Sequence, residues 1–338
     1  MIAENPKPRP WVAVVCALFL LAGLVGCQEE QPAEPATDED RAATEPAEQQ
    51  PAEPAAEAED APADDLQVVD VSAREFAFEA PDEISAGLTT FRLNNQGEQD
   101  HFLLIYRLPE GITQDEVLSE AVPVYDRVMQ MLQDGEIDPE GAMEYLGEQL
   151  PEWFSSVEFR GGPGLVAPGG VAETTVDLSE PGLYLMECYV KDANGMFHSS
   201  MGMQKQFTVT GPRGEAEPPE SDFEVNLANA GIEAPDSLEA GDYTVQVNFA
   251  DDPEGGFPFD VHLARLAEDT DTDALREWMN WMNVGGLMDP APAEFVGGAE
   301  NMAAGNTAYM EIELTPGRYA WLSEVGATEA MYREFTVE

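Results

Sequence analysis

The sequence predicts an all-β protein: two β-sandwiches in tandem, the first carrying a helical insertion. Three observations predict it. Four landmarks recur in one order: Ala80-Pro81-Asp82 as Ala234-Pro235-Asp236, Phe159-Arg160-Gly161-Gly162 as Phe295-Val296-Gly297-Gly298, Pro181-Gly182-Leu183-Tyr184 as Pro316-Gly317-Arg318-Tyr319, and Phe207-Thr208-Val209 as Phe335-Thr336-Val337. This reads as an internal duplication. Short β-branched or aromatic segments near residues 66–71, 89–94, 102–108, 171–178, 184–190 and 206–210 are bounded by Gly, Pro or Asp, the pattern of sandwich strands. Residues 114–153 instead space their apolar residues helically (Val117, Ala121, Val124, Val128, then Met143, Leu146, Leu150), with Pro123 starting a new helix after a break. The second copy has a shorter helical equivalent around residues 274–282. The expected domains are residues 66–211 and 223–338, joined by a Pro- and Glu-rich linker at 212–222.

Ahead of them, Lys7 and Arg9 precede an apolar run at residues 11–24, too short for a comfortable membrane span and typical of a signal-peptide core. It ends in Leu24-Val25-Gly26-Cys27, which resembles the lipobox of bacterial lipoproteins. That resemblance implies removal of residues 1–26, diacylation of Cys27, and a chain anchored to a membrane without spanning it. The expected location is the cell envelope, periplasmic or outer-membrane facing, with Gln28 favouring the outer membrane. Residues up to 65 are nearly all Ala, Glu, Pro, Asp, Gln and Thr; lacking apolar groups to offset ordering entropy, residues 27–65 read as a disordered tether.

The formal net charge is -52, from 67 acidic and 15 basic residues. Nucleic acid and anionic lipid surfaces are poor partners for such a chain, whereas a basic redox protein such as a c-type cytochrome would be steered toward it. The lysine-poor acidic surface also resembles that of salt-adapted proteins, where charge serves solubility.

Cysteine arithmetic is sharper. With Cys16 in the signal and Cys27 lipidated, Cys188 alone remains in the mature domains. Such a thiol is a metal ligand, a reactive group, or a small buried apolar residue. Residues 188–203 place Cys188, His198, Met201 and Met203 on one inter-strand loop, and His101 opens a strand after a loop containing Asn94, Asn95 and Gly97. Two imidazoles, a thiolate and a weak axial thioether are the donor set of a blue copper site. Taken singly, each residue has a structural reading.

Over roughly residues 66–210 the sequence resembles the cupredoxins, the plastocyanin- and phytocyanin-like domains in particular, through Tyr184, Cys188, His198 and Gly202-Met203. The resemblance implies Greek-key sandwiches, one type 1 copper held by His101, Cys188, His198 and Met203, and electron transfer. Met201 competes with Met203 for the axial role. Nine residues separate Cys188 from His198, more than familiar cupredoxins have, so residues 191–196 read as an insertion that Asp192, Asn194 and Gly195 can fold into a turn.

The second copy is an internal control. Aligning Arg107-Leu108 with Arg265-Leu266, and Gly182-Leu183-Tyr184 with Gly317-Arg318-Tyr319, puts Phe259 at the place of His101 and Ser323 at that of Cys188. Met331 alone keeps its role, so this copy is expected to bind no copper, and His262, inside a strand, reads as structural. Multicopper oxidases and copper nitrite reductases, which also pair cupredoxin domains, need more histidines than the three present, so the sequence reads as a non-enzyme. Three functions remain: an envelope-tethered copper electron carrier; a copper sequestration or delivery protein using Met129, Met131, Met186, Met196 and Met201; or a metal-free interaction module, since fold does not fix function.

Overall fold

A computed structural model describes residues 66–253, 256–324 and 329–338, so the expected signal segment, Cys27 and the tether lie outside the described residues. The first repeat contains β1 (Gln67–Arg74), β2 (Ala77–Glu79), β3 (Glu83–Ser85), β4 (Gly87–Asn95), β5 (Leu104–Arg107), β6 (Glu158–Gly161), β7 (Val171–Leu178), β8 (Gly182–Glu187) and β9 (Gln204–Thr210). The second contains β10 (Phe223–Ala228), β11 (Gly231–Glu233), β12 (Ser237–Leu238), β13 (Gly241–Phe249), β14 (Val261–Leu266), β15 (Glu294–Ala299), β16 (Thr307–Leu314), β17 (Gly317–Leu322) and β18 (Tyr332–Val337). The strands follow from period-two patterning: Val69, Val71 and Ala73 of β1 are buried while their neighbours are not.

One face of the first sandwich is the sheet β3-β9-β8-β5-β6, and the second repeats it as β12-β18-β17-β14-β15. Even the bulge recurs, between Ile105 and Tyr106 and between Leu263 and Ala264. The other faces merge. Strand β7 pairs with β16 through Thr174 and Met310, giving one eight-stranded sheet, β11-β10-β13-β16-β7-β4-β1-β2. The two repeats thus lie in one compact unit, with tandem all-β sandwiches and a helical insertion as expected.

The repeated Gly-Gly landmark is where the halves meet. The Gly164 N–H donates to Gly298 C=O at 3.0 Å and the Gly297 N–H to Leu165 C=O at 2.9 Å. A β-carbon on Gly298 would lie 2.4 Å from the Val261 carbonyl and 3.1 Å from the Gly164 α-carbon, so only glycine permits this approach.

In the insertion, Thr113 and Glu116 form a capping box, and a π-turn at Val117–Ala121 leads into α1 (Val122–Gln133). Pro123 sits in the first turn of α1, where a missing N–H removes no helical bond; the π-turn carries the chain through without the expected break. Asp138 caps α2 (Pro139–Gln149). The helix of the second repeat, α3 (Thr272–Met279), ends before Trp281.

Candidate metal centre

His101, Cys188 and His198, separated by up to 97 positions in sequence, converge in a fully buried cluster. Each is placed by backbone bonds. His101 is clamped to Val166, its N–H donating to Val166 C=O at 3.2 Å and its C=O accepting from Val166 N–H at 2.9 Å. The Asn95 side chain braces the preceding loop by donating to the carbonyls of Gln99 and Val166. Cys188 directly follows β8. Its N–H donates to Met203 C=O at 3.2 Å, while Met203 N–H donates to His198 C=O at 2.9 Å, so the loop from Cys188 to Met203 is stitched shut by its own backbone. Within it, Asp192 accepts from the N–H groups of Asn194 and Met196, and Gly195 adopts a φ of 81°. Lys191 ties this loop to the second repeat: its ammonium donates to the carbonyls of Trp281 at 2.9 Å and Asn283 at 2.7 Å. Met203 is fully buried, whereas Met201 is partly exposed.

Both imidazoles turn Nδ1 toward sulfur, each 3.7 Å from Cys188 Sγ. The outer nitrogen of His198 donates to Gln99 Oε1 at 2.9 Å, which leaves the Nδ1 lone pair facing the thiol. His101 Nε2 lies 3.7 Å from Glu75. Burial drives the His101 and His198 pKa values down to about 4 and about 3, and pushes the Cys188 thiol well up. Two neutral imidazoles therefore face a thiol that burial holds protonated, and a metal ion is what would make the thiolate favourable. The spacing fits. Metal–nitrogen and metal–sulfur bonds of about 2.0 and about 2.3 Å, opened to about 120°, separate nitrogen from sulfur by about 3.7 Å.

Gln99 and Glu75 escaped the sequence reading because the histidines they face, His198 and His101, lie on other segments, and the role of Lys191 escaped it because its carbonyl partners lie in the second repeat. In the second repeat, Phe259 and Ser323 occupy the aligned positions and are buried. Each is followed by an acid. Asp260, His262, Glu300 and Glu324 form a second, fully enclosed cluster. His262 Nε2 is 3.2 Å from Glu324 and 3.6 Å from Asp260, while its Nδ1 accepts the Leu165 N–H at 3.0 Å. With the lone pair on Nδ1, the neutral ring carries its proton on Nε2, facing the carboxylates. Burial lifts the Asp260 pKa to about 7 and also raises those of Glu300 and Glu324. This corner is arranged to hold protons. Carrying the alignment of Phe259 and Ser323 one residue further would have exposed it. Tyr189, next to Cys188, reaches the cluster by donating to Glu324 at 3.0 Å.

No family model and no curated protein matches the sequence. Among solved structures, similar chains include an auracyanin of Roseiflexus castenholzii (17% identity, 44% of this chain and 99% of that one, TM-score 0.26) and the blue copper protein auracyanin A of Chloroflexus aurantiacus (19%, 43% and 100%, TM-score 0.27). A multicopper oxidase is similar over 81% of this chain and 89% of its own (14% identity, TM-score 0.22). The neighbours are thus blue copper cupredoxins and two-domain copper proteins, the group the sequence resembled. They also correct one expectation. The non-enzyme reading does not stand, because a multicopper oxidase, a copper-containing nitrite reductase of Thermus scotoductus and a blue copper oxidase of Nitrosomonas europaea are among them.

Proposed function

We propose that the chain binds copper through His101, Cys188 and His198, with Met203 as axial ligand, and passes electrons in the cell envelope while anchored by lipid on Cys27. The observation that carries the reading is the pair of buried Nδ1 atoms, each 3.7 Å from the Cys188 sulfur. When bound, copper supplies the one-electron redox chemistry. The protein's part is rigidity and insulation. The backbone clamps on His101 and His198, the Gln99 bond, and the complete burial of the donors hold the site in one shape and keep water out. The charge of -52 supports a basic redox partner, such as a c-type cytochrome.

A Cu(II) titration of the full chain, followed by visible absorption beside Cys188→Ser, tests the site. An intense thiolate-to-copper band that saturates at one equivalent and is absent from the variant is expected. Copper washing away on desalting, with no band at any ratio, overturns the reading. Radiolabelled palmitate entering the chain but not Cys27→Ala tests the anchor.

A further inference from the structure

Three parts of the molecule meet around a cleft that the metal centre leaves unexplained. The helical insertion contributes Tyr125 and Phe154, the second repeat contributes Phe257 and Trp281, and the first sandwich contributes Tyr106 and Tyr189. Trp281 is the hub, with ring centroids of Tyr125, Phe257 and Tyr189 at 6.1, 6.0 and 6.4 Å. The enclosed volume is about 70 Å³. That is several times the roughly 10–15 Å³ a single water needs, and about half the roughly 150 Å³ of an apolar cavity that stays dry and takes up benzene or xenon.

The polar side chains at the wall are already engaged. The Tyr106 hydroxyl donates to Glu187 at 2.5 Å, and Ser199 also bonds Glu187. The Tyr189 hydroxyl donates to Glu324 at 3.0 Å, and Asn301 donates to Pro258 C=O at 2.8 Å and to Asp260 at 3.1 Å. A buried water needs two to four polar partners, and these groups have turned theirs away from the space. The rings and the aliphatic side chains of Leu104, Val117 and Ala121 complete the lining. Wall atoms facing a void lack dispersion partners, and an apolar occupant restores them. We propose that this cleft is a dry site for one small, uncharged, apolar molecule, of the class of a nonpolar gas or short hydrocarbon, larger than water and smaller than benzene. The site needs no charged group, and none of its lining side chains is a proposed metal ligand, so it stands apart from the copper reading.

Methyl NMR of the full chain under rising xenon pressure, with helium at equal pressure as control, tests it. The Val117 and Ala121 methyls are expected to shift several-fold more with xenon than those of Val71 and Val225, core residues that do not line the cleft. Ala121→Leu fills the space and is expected to abolish the response. Should that variant fail to fold, Phe257→Ala replaces it: the enlarged cleft is expected to admit benzene, which the wild type excludes. Cleft methyls that respond no more than the core controls overturn the proposal. So does a xenon response that Ala121→Leu leaves unchanged, or benzene uptake equal in wild type and Phe257→Ala, because the occupant then lies elsewhere. Magnetisation transfer from a long-lived water to the Val117 and Ala121 methyls would show the cleft to be wet, and that also overturns it.

Discussion

The two repeats agree in strand order and in the place of their bulge, yet the same corner of each holds opposite chemistry. In the first, His101 and Cys188 aim soft and borderline donors at a common point. In the second, Phe259 and Ser323 fill those positions, and the next residues, Asp260 and Glu324, join His262 and Glu300 in a proton-holding cluster. The difference teaches that the fold supplies a buried polar corner, while the residues at two strand ends decide whether it suits a metal or protons.

Cys188→Ser makes the first corner resemble the second, and its effect should be the largest. A metal present at a thousand times its Kd stabilises by about 4 kcal/mol, or roughly 10 °C of Tm for a unit this large. Copper should raise the wild-type Tm by that order and leave the variant unmoved; an equal rise in both would place the metal elsewhere. Lys191→Met comes next. It strips the carbonyls of Trp281 and Asn283 of their donor, and a loss of about 2–3 kcal/mol in urea denaturation is expected. A loss under about 0.5 kcal/mol would mean that the tie between the halves carries no weight.

Glu300→Gln probes the second corner. Glu300 is buried, neither of its oxygens has a hydrogen-bond partner among the described residues, and burial raises its pKa from an ordinary 4.5. Above that pH the unfolded chain has lost this proton while the folded chain keeps it. Stability therefore falls as pH rises toward the elevated folded value, by about 1.4 kcal/mol per pH unit. Glutamine removes the dependence, so the variant should match wild type near pH 4 and exceed it in Tm by pH 7. A Tm difference that does not change with pH would show Glu300 to be ionised in the fold. The smallest effect is expected from Phe259→His with Ser323→Cys. With no histidine equivalent to His198, no second thiolate–copper band should appear; a band at two equivalents of copper would refute the contrast between the corners.

Much of this was legible in the sequence. The landmarks carried the duplication, and the scarcity of histidine and cysteine drew attention to His101, Cys188 and His198. What stayed hidden was contact between segments remote in sequence. Gln99 is unremarkable until His198 folds against it, and the acids at 260, 300 and 324 look like part of an acidic surface until their burial is seen. Nor does the Gly-Gly repeat announce that it joins one half to the other, because the close approach it permits is made by the partner repeat.

The merged sheet bears on any attempt to divide the molecule. In the whole chain β7 is interior, flanked by β4 and β16. Cut at the linker, it becomes an edge with open hydrogen-bonding groups, and exposed Val171 stands at its start. An isolated first half would carry an adhesive border and tend to pair with copies of itself, so self-association of such a fragment would report a missing neighbour, not the habit of the intact protein.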